Sequence, residues 1–176
     1  MAGIIVAFAA NSISPRGLAL TKNYFPGATN VSLSAPILPL AAGIEQKGLQ
    51  RVDGNRVGQL FRDPRFQQQM IVFVDARDEE HYQEGHIPGA YEFDAYHPEN
   101  FFATVLPVCQ AAEEIVVYCN GGECEDSQFA AVALRDVGIT NQKLFVFAGG
   151  FAEWTTNRWP VETGGRNSGK LRDATR

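Results

Sequence analysis

Cysteine is scarce in this chain. Cys109, Cys119 and Cys124 are its three thiols, too few and too unevenly placed for a disulfide scaffold, and no C-x2-C pair supplies the spacing of a structural zinc site. Runs of lysine or arginine are missing as well, and the formal net charge is -5. That leaves no cationic stripe for a nucleic-acid backbone. Long apolar stretches are also wanting: the amino-terminal one, Ala2 to Ala10, is about half the length that spans a bilayer. It has no basic residues before it, although Ala7-Phe8-Ala9 mimics a small-residue cleavage site. Three readings follow for this segment: a short buried helix or strand, the trimmed end of a longer membrane anchor, or a weak export signal. The first corresponds to a cytoplasmic protein and the others to an anchored or exported one. No internal repeat is visible, and 45% hydrophobic with 20% charged residues excludes a disordered, collagenous or fibrous chain.

What is present begins with an arm. Residues 11 to 45 are rich in Ser, Pro, Ala and Gly, with breakers at Pro26-Gly27 and prolines at Pro36 and Pro39; they read as an extended segment, and residues 1 to 48 together as an amino-terminal apolar and extended arm. Its Ile37 and Leu38 suit a core or partner surface, which makes the arm a candidate contact for a protein partner.

From Leu49 the pattern becomes regular. Gln50-Arg51-Val52 reads as a short strand, Asp53 as a helix N-cap, and Val57, Leu60 and Phe61 as the apolar face of a helix to about Arg62. Ile71-Val72-Phe73-Val74 is a continuous apolar run, as expected of a strand buried on both faces. Asp78 is placed to cap a helix carrying Glu79 and Glu80 in its first turn, where negative side chains suit the dipole. After the loop Glu84 to Ala90, Tyr91 to Phe93 reads as a short strand and Pro98 to Gln110 as helical, with Pro107 a kink or stop. Ile115 to Tyr118 is the central strand, Ser127 to Val137 a helix ending at Gly138, and Leu144 to Phe147 another buried strand. Gly149-Gly150 turns the chain into a last helix through Trp154. Strands alternating with helices imply a parallel sheet covered on both faces.

Cys119 stands at the carboxyl end of the central strand and opens a glycine-containing turn, Asn120 to Asp126, ahead of a helix. In open α/β sheets ligands bind outside the carboxyl ends of the strands, and the amides of a turn entering a helix form an anion cradle. A thiol there is a candidate nucleophile.

The motifs Val74-Asp75-Ala76-Arg77, Tyr82, Gly85-His86-Ile87-Pro88-Gly89-Ala90, Val117-Tyr118-Cys119, Gly149-Gly150-Phe151-Ala152-Glu153-Trp154 and Trp159-Pro160-Val161, in this order and spacing, resemble the rhodanese-like domain over residues 49 to 163. The resemblance implies a three-layer α/β domain with a central parallel sheet flanked by helices, here with the extended arm before it and a flexible tail over 164 to 176. It also implies a sulfurtransferase chemistry, in which a cysteine carries sulfane sulfur as a persulfide between a donor and a thiol acceptor. Cys119 matches that cysteine. Cys124 stands where the family more usually has an arginine, and Ser127 comes two residues later than the usual serine. Cysteine-dependent phosphatases on a similar fold need a loop arginine to clamp phosphate; Asn120 to Asp126 contain no Arg or Lys, which argues against phosphatase or arsenate-reductase activity.

The attacking species is a thiolate, so the site must lower the cysteine's pKa. Backbone amides of Asn120, Gly121, Gly122, Glu123, Cys124 and Glu125, with the dipole of the helix entered at Ser127, are expected to do this and to hold a charged persulfide. Glu123, Glu125 and Asp126 oppose an anion unless they face solvent, so thiosulfate is expected to be a poor donor and a low-charge or protein-borne persulfide a better one. Cys124, in a C-x4-C spacing, is a candidate resolving cysteine. Asp75 and Arg77 are expected to order the adjoining loops, His86 to fix its own loop, Trp154 and Trp159 to pack the last helix, and Cys109 to pack in the core. No cofactor is implied. A contrasting expectation is a non-catalytic rhodanese-like module that binds or regulates a partner.

Overall fold

The computed structural model describes Ile44, Glu45 and residues 47–172; the apolar start and nearly all of the arm expected over residues 1 to 48 lie outside the described residues. Five parallel strands form the central sheet: β1 (Gln50–Val52), β2 (Ile71–Asp75), β3 (Tyr91–Glu92), β4 (Glu114–Tyr118) and β5 (Leu144–Phe147), in the order β1-β5-β4-β2-β3. β4 is therefore central, and every residue of β2 is buried, which explains their unbroken apolar sequences: parallel strands face packed helices on both sides.

Side chains alternate between the two faces of a strand. Val72, Val74, Ile115, Val117, Cys119, Leu144 and Val146 fall on one face, packed with Val105 and Cys109 of α4 (Phe102–Ala111) and with Ala130, Ala131 and Leu134 of α5 (Asp126–Asp136). Ile71, Phe73, Val116, Tyr118 and Phe147 fall on the other, against Val57 and Leu60 of α1 (Gly54–Arg62) and Trp154 of α6 (Gly150–Thr156). The three-layer arrangement follows from this parity. It also sends Cys119 to the face that carries α5, the helix entered by its own loop.

Local signals behave as their chemistry requires. Asp53 accepts from the Arg56 amide at 2.8 Å and Asp78 from the His81 amide at 2.9 Å, starting α1 and α3 (Glu79–Glu84). A short helix, α2 (Pro64–Gln67), follows α1. Pro98–Asn100 forms a single 3-10 turn, and α4 then runs through Pro107 to Ala111 instead of stopping there. The carbonyl that loses its partner belongs to Ala103, which is exposed and so open to solvent. Cys109 is buried and its thiol is pushed up to about 12 by burial, in keeping with a packing role.

The stretch after Thr163 differs from the loose tail expected. Leu171–Arg172 (β7) pairs antiparallel with Val161–Glu162 (β6). Glu162, 3% exposed, receives the amides of Gly89 at 2.9 Å and Gly169 at 3.3 Å, and meets His86 Nε2 at 3.2 Å. The Arg166 guanidinium lies 3.8 Å over the Tyr91 ring, at the edge strand of the sheet. A buried carboxylate has to be paired, and these partners on both sides hold the hairpin down. Residues 173 to 176 lie outside the described residues.

Candidate active site

The chain leaves β4 at Tyr118, and the next atom of chemical interest is the Cys119 sulfur. Two backbone carbonyls at the turn are clamped by the start of α6: Phe151 N–H donates to the Cys119 carbonyl at 2.8 Å and Ala152 N–H to that of Asn120 at 3.0 Å. This contact needs glycine on both sides. Gly121 (φ +93°) has no room for a side chain because a Cβ would stand 2.1 Å from the Gly149 carbonyl oxygen, and one at Gly150 (φ +56°) would stand 2.4 Å from the Gly121 nitrogen. The Gly149-Gly150 pair, read as a turn, thus also lets the last helix approach the cysteine loop.

Cys119 is 1% exposed: the loop lies over it, with Asn120, Gly122, Glu123 and Glu125 at the surface. Its surroundings are nonetheless polar. The Cys119 thiol donates to the Cys124 carbonyl at 3.3 Å and lies 3.5 Å from Ser127 Oγ, and Ser127 is itself buried. The thiol's pKa is lowered to about 6: the Cys124 thiol beside it contributes most, burial opposes, and the Ser127 hydroxyl with the amides of Gly121 and Ser127 adds to the lowering. Each of these donors favours the anion. Of the six loop amides expected to face the sulfur, that of Gly121 does. The Cys124 amide instead closes a turn on the Gly121 carbonyl at 3.3 Å, and that of Asn120 is directed to the Cys124 sulfur.

Cys124 is half-buried. Its thiol is pushed well up, first by its interaction with Cys119 and then by burial, so of the two sulfurs Cys119 is the one that ionises. Asp126 Oδ2, at 3.3 Å, is a second acceptor for the Cys124 thiol proton besides Cys119, and the other carboxylate oxygen, Oδ1, accepts from the Tyr96 hydroxyl at 3.0 Å. Tyr96 carried no signal in the sequence; it lies in the polar stretch Asp94 to His97 and reaches α5 only through the fold. The three acidic residues of the loop therefore separate. Glu123 is exposed, Glu125 is exposed and 4.0 Å from Lys47 Nζ, and Asp126 turns toward Cys124.

The remaining predicted residues are supports. Asp75 and Arg77 form a buried two-point ion pair (2.9 and 2.6 Å), and Arg77 also donates to the Gly85 carbonyl at 2.7 Å while lying 4.2 Å over Phe151. Burial works against the Arg77 charge, but the Asp75 carboxylate outweighs it and raises the guanidinium's pKa further. His86 stacks on Tyr82 at 3.9 Å and meets the Tyr82 carbonyl through Nδ1 at 2.9 Å. Trp154 donates to the Pro160 carbonyl at 2.8 Å and packs edge-on against Trp159.

Comparison with known proteins places these observations. The family model described as the rhodanese-like domain matches residues 59–157. A curated relative, the HTH-type transcriptional regulator Rv0324 of Mycobacterium tuberculosis, is 34% identical over 94 residues, which is 53% of this chain and 38% of the regulator's length. The match thus spans well under half of that protein. Among solved structures, a thiosulfate sulfurtransferase from Pseudomonas aeruginosa aligns at a TM-score of 0.52 with 20% identity, over 72% of this chain and 22% of its own. A Rhodopseudomonas palustris protein of unknown function, described as a possible tyrosine phosphatase, aligns at 0.52 with 23% identity, over 70% of this chain and 93% of its own. At these identities the two structures share the fold.

Proposed function

The chain belongs to the rhodanese-like domain family, and on that premise we propose that it carries sulfane sulfur on Cys119 and passes it to a thiol acceptor. The Cys119 thiolate attacks the sulfane sulfur of a persulfide donor; a bond forms between Cys119 Sγ and that sulfur, the donor's S–S bond breaks, and the donor leaves as a thiolate. One observation carries this reading: a thiol lowered to about 6 at the carboxyl end of the central strand, with the Ser127 hydroxyl and the amides of Gly121 and Ser127 turned toward it. The same donors would hold the charged persulfide.

The donor is inferred from charge. With no Arg or Lys between Asn120 and Asp126 and with the Asp126 carboxylate turned toward Cys124, the loop offers no cation to a dianion such as thiosulfate, and a low-charge or protein-borne persulfide suits it better. A phosphoryl group would meet the same obstacle. The test is to incubate the protein with a low-molecular-weight persulfide and to follow transfer to a thiol. Cys119 should gain one sulfur atom, Cys119→Ser should gain none, and strong thiosulfate:cyanide turnover would refute the donor assignment.

A second reading is supported by the burial of Cys119 and by the regulator among the relatives: a module that binds or regulates a partner, with the cysteine incidental. It requires Cys119 to resist both thiol electrophiles and sulfur loading.

A further inference from the structure

Beside the candidate nucleophile stands an ordered set of groups of which sulfur carriage draws only on the Cys124 thiol. Tyr96 donates to Asp126 at 3.0 Å, Asp126 accepts from the Cys124 thiol at 3.3 Å, and the Cys124 carbonyl lies 3.3 Å from the Cys119 sulfur. A carboxylate fixed from behind by a tyrosine, with a thiol 3.3 Å in front of it, is the arrangement of a general base. The turn through Gly121 (φ +93°) and Gly122 (φ +67°) folds Cys124 back over Cys119.

We propose that Cys124 is a resolving thiol activated by Asp126, and that it expels the sulfur carried on Cys119 as hydrogen sulfide. The proposal rests on the carrier reading above, since it begins from the Cys119 persulfide. The Cys124 proton passes to the Asp126 carboxylate. The Cys124 sulfur then attacks Cys119 Sγ, a Cys119–Cys124 disulfide forms, and the bond from Cys119 Sγ to the sulfane sulfur breaks. The electron pair leaves on that sulfur, which takes the proton back from Asp126 and departs as hydrosulfide while the two thiols are oxidised, so no outside oxidant is needed. A dithiol reductant returns the loop to its starting state by exchange. Tyr96 is a positioning residue, acting through Asp126.

The order of events is built into the pair. While Cys119 is a bare thiolate, its charge keeps the proton on Cys124. Once Cys119 carries a persulfide the charge moves to the outer sulfur, and that restraint weakens.

The experiment loads the full chain with a low-molecular-weight persulfide in the absence of reductant, following sulfide release and the mass of the loop peptide. Wild type should release one sulfide per chain and lose two hydrogens as the disulfide forms. Cys124→Ser, which keeps a hydroxyl donor beside Cys119, should hold the added sulfur and release none. Asp126→Asn should load normally but release sulfide roughly 100-fold more slowly near neutral pH, recovering at higher pH where Cys124 ionises unaided. Tyr96→Phe should shift the release profile in the same sense by a smaller amount. Wild type that stays persulfidated, or Asp126→Asn that releases at the wild-type rate at every pH, overturns the proposal with sulfur carriage intact. Cys119 that gains no sulfur even in Cys124→Ser overturns the carrier reading and this step with it.

Discussion

At Cys119, neighbours set the charge while the loop controls access. A folded pKa of about 6 means that the thiolate fraction rises through that pH and is nearly complete by neutrality, whereas a free thiol ionises around 8.5. The rate of alkylation by a small electrophile should therefore level off above pH 7, with its absolute value low because the sulfur is covered. Removing a donor to the anion should raise the midpoint. In Ser127→Ala the alkylation profile is expected to move up by roughly one pH unit, and in Cys124→Ala further, since that thiol is the largest contribution. A profile unmoved by either change would separate the ionisation from these contacts. Gly121→Ala tests the ground beneath them: its Cβ would meet the Gly149 carbonyl at 2.1 Å in left-handed backbone, and chemical denaturation should show a loss of about 2–4 kcal/mol. The place of Cys119 at the carboxyl end of the central strand was legible, because the apolar run ends there at a glycine-containing turn. Its burial and the turn of Asp126 toward Cys124 were not, since both depend on how seven loop residues close in three dimensions.

Among the elements, the buried strands were the easiest to read and the helix ends the least certain. Ile71–Asp75 and Leu144–Phe147 announce themselves because burial on both faces leaves no polar position, and Asp53 and Asp78 because a short acidic side chain is suited to an N-cap. The start of α5 lies at Asp126, one residue before Ser127, and its N-cap residue Glu125 makes no side-chain cap bond; its exposed carboxylate lies 4.0 Å from Lys47 instead. Pro107 shows tertiary packing overriding propensity, as Val105 and Cys109 bury on either side of it. Pro107→Ala should consequently stabilise the fold, by about 1–3 kcal/mol, seen as a higher urea midpoint with unchanged slope. A destabilised variant would mean that the ring itself packs.

For the whole molecule, the carboxyl-terminal hairpin is the part that composition hid. Gly164, Gly165, Asn167, Ser168 and Gly169 look like a solvated tail, yet they form the turn that brings the Gly169 amide to Glu162 and Arg166 over Tyr91. Glu162 is held below the usual carboxylate range: burial opposes its charge, but the amides of Gly89, Gly169 and Asn167 and the nearby His86 outweigh it. A depressed folded pKa adds stability at neutral pH that is lost as the pH falls through it. Truncation after Thr163 should cost about 2 kcal/mol, and the deficit, measured by denaturation across acidic pH, should shrink as Glu162 protonates in the parent chain.

The odd-even alternation of β4 has one more consequence, for how such a site can diverge. Deleting a single residue from Ile115 to Tyr118 would swing the sulfur across the sheet, toward Phe147 and Trp154 and away from α5. Lengthening the bridge between Cys119 and Ser127 leaves that geometry untouched. The segment is therefore an exchangeable cassette on a fixed mount, free to swap an arginine for a second thiol while the strand beneath it keeps count.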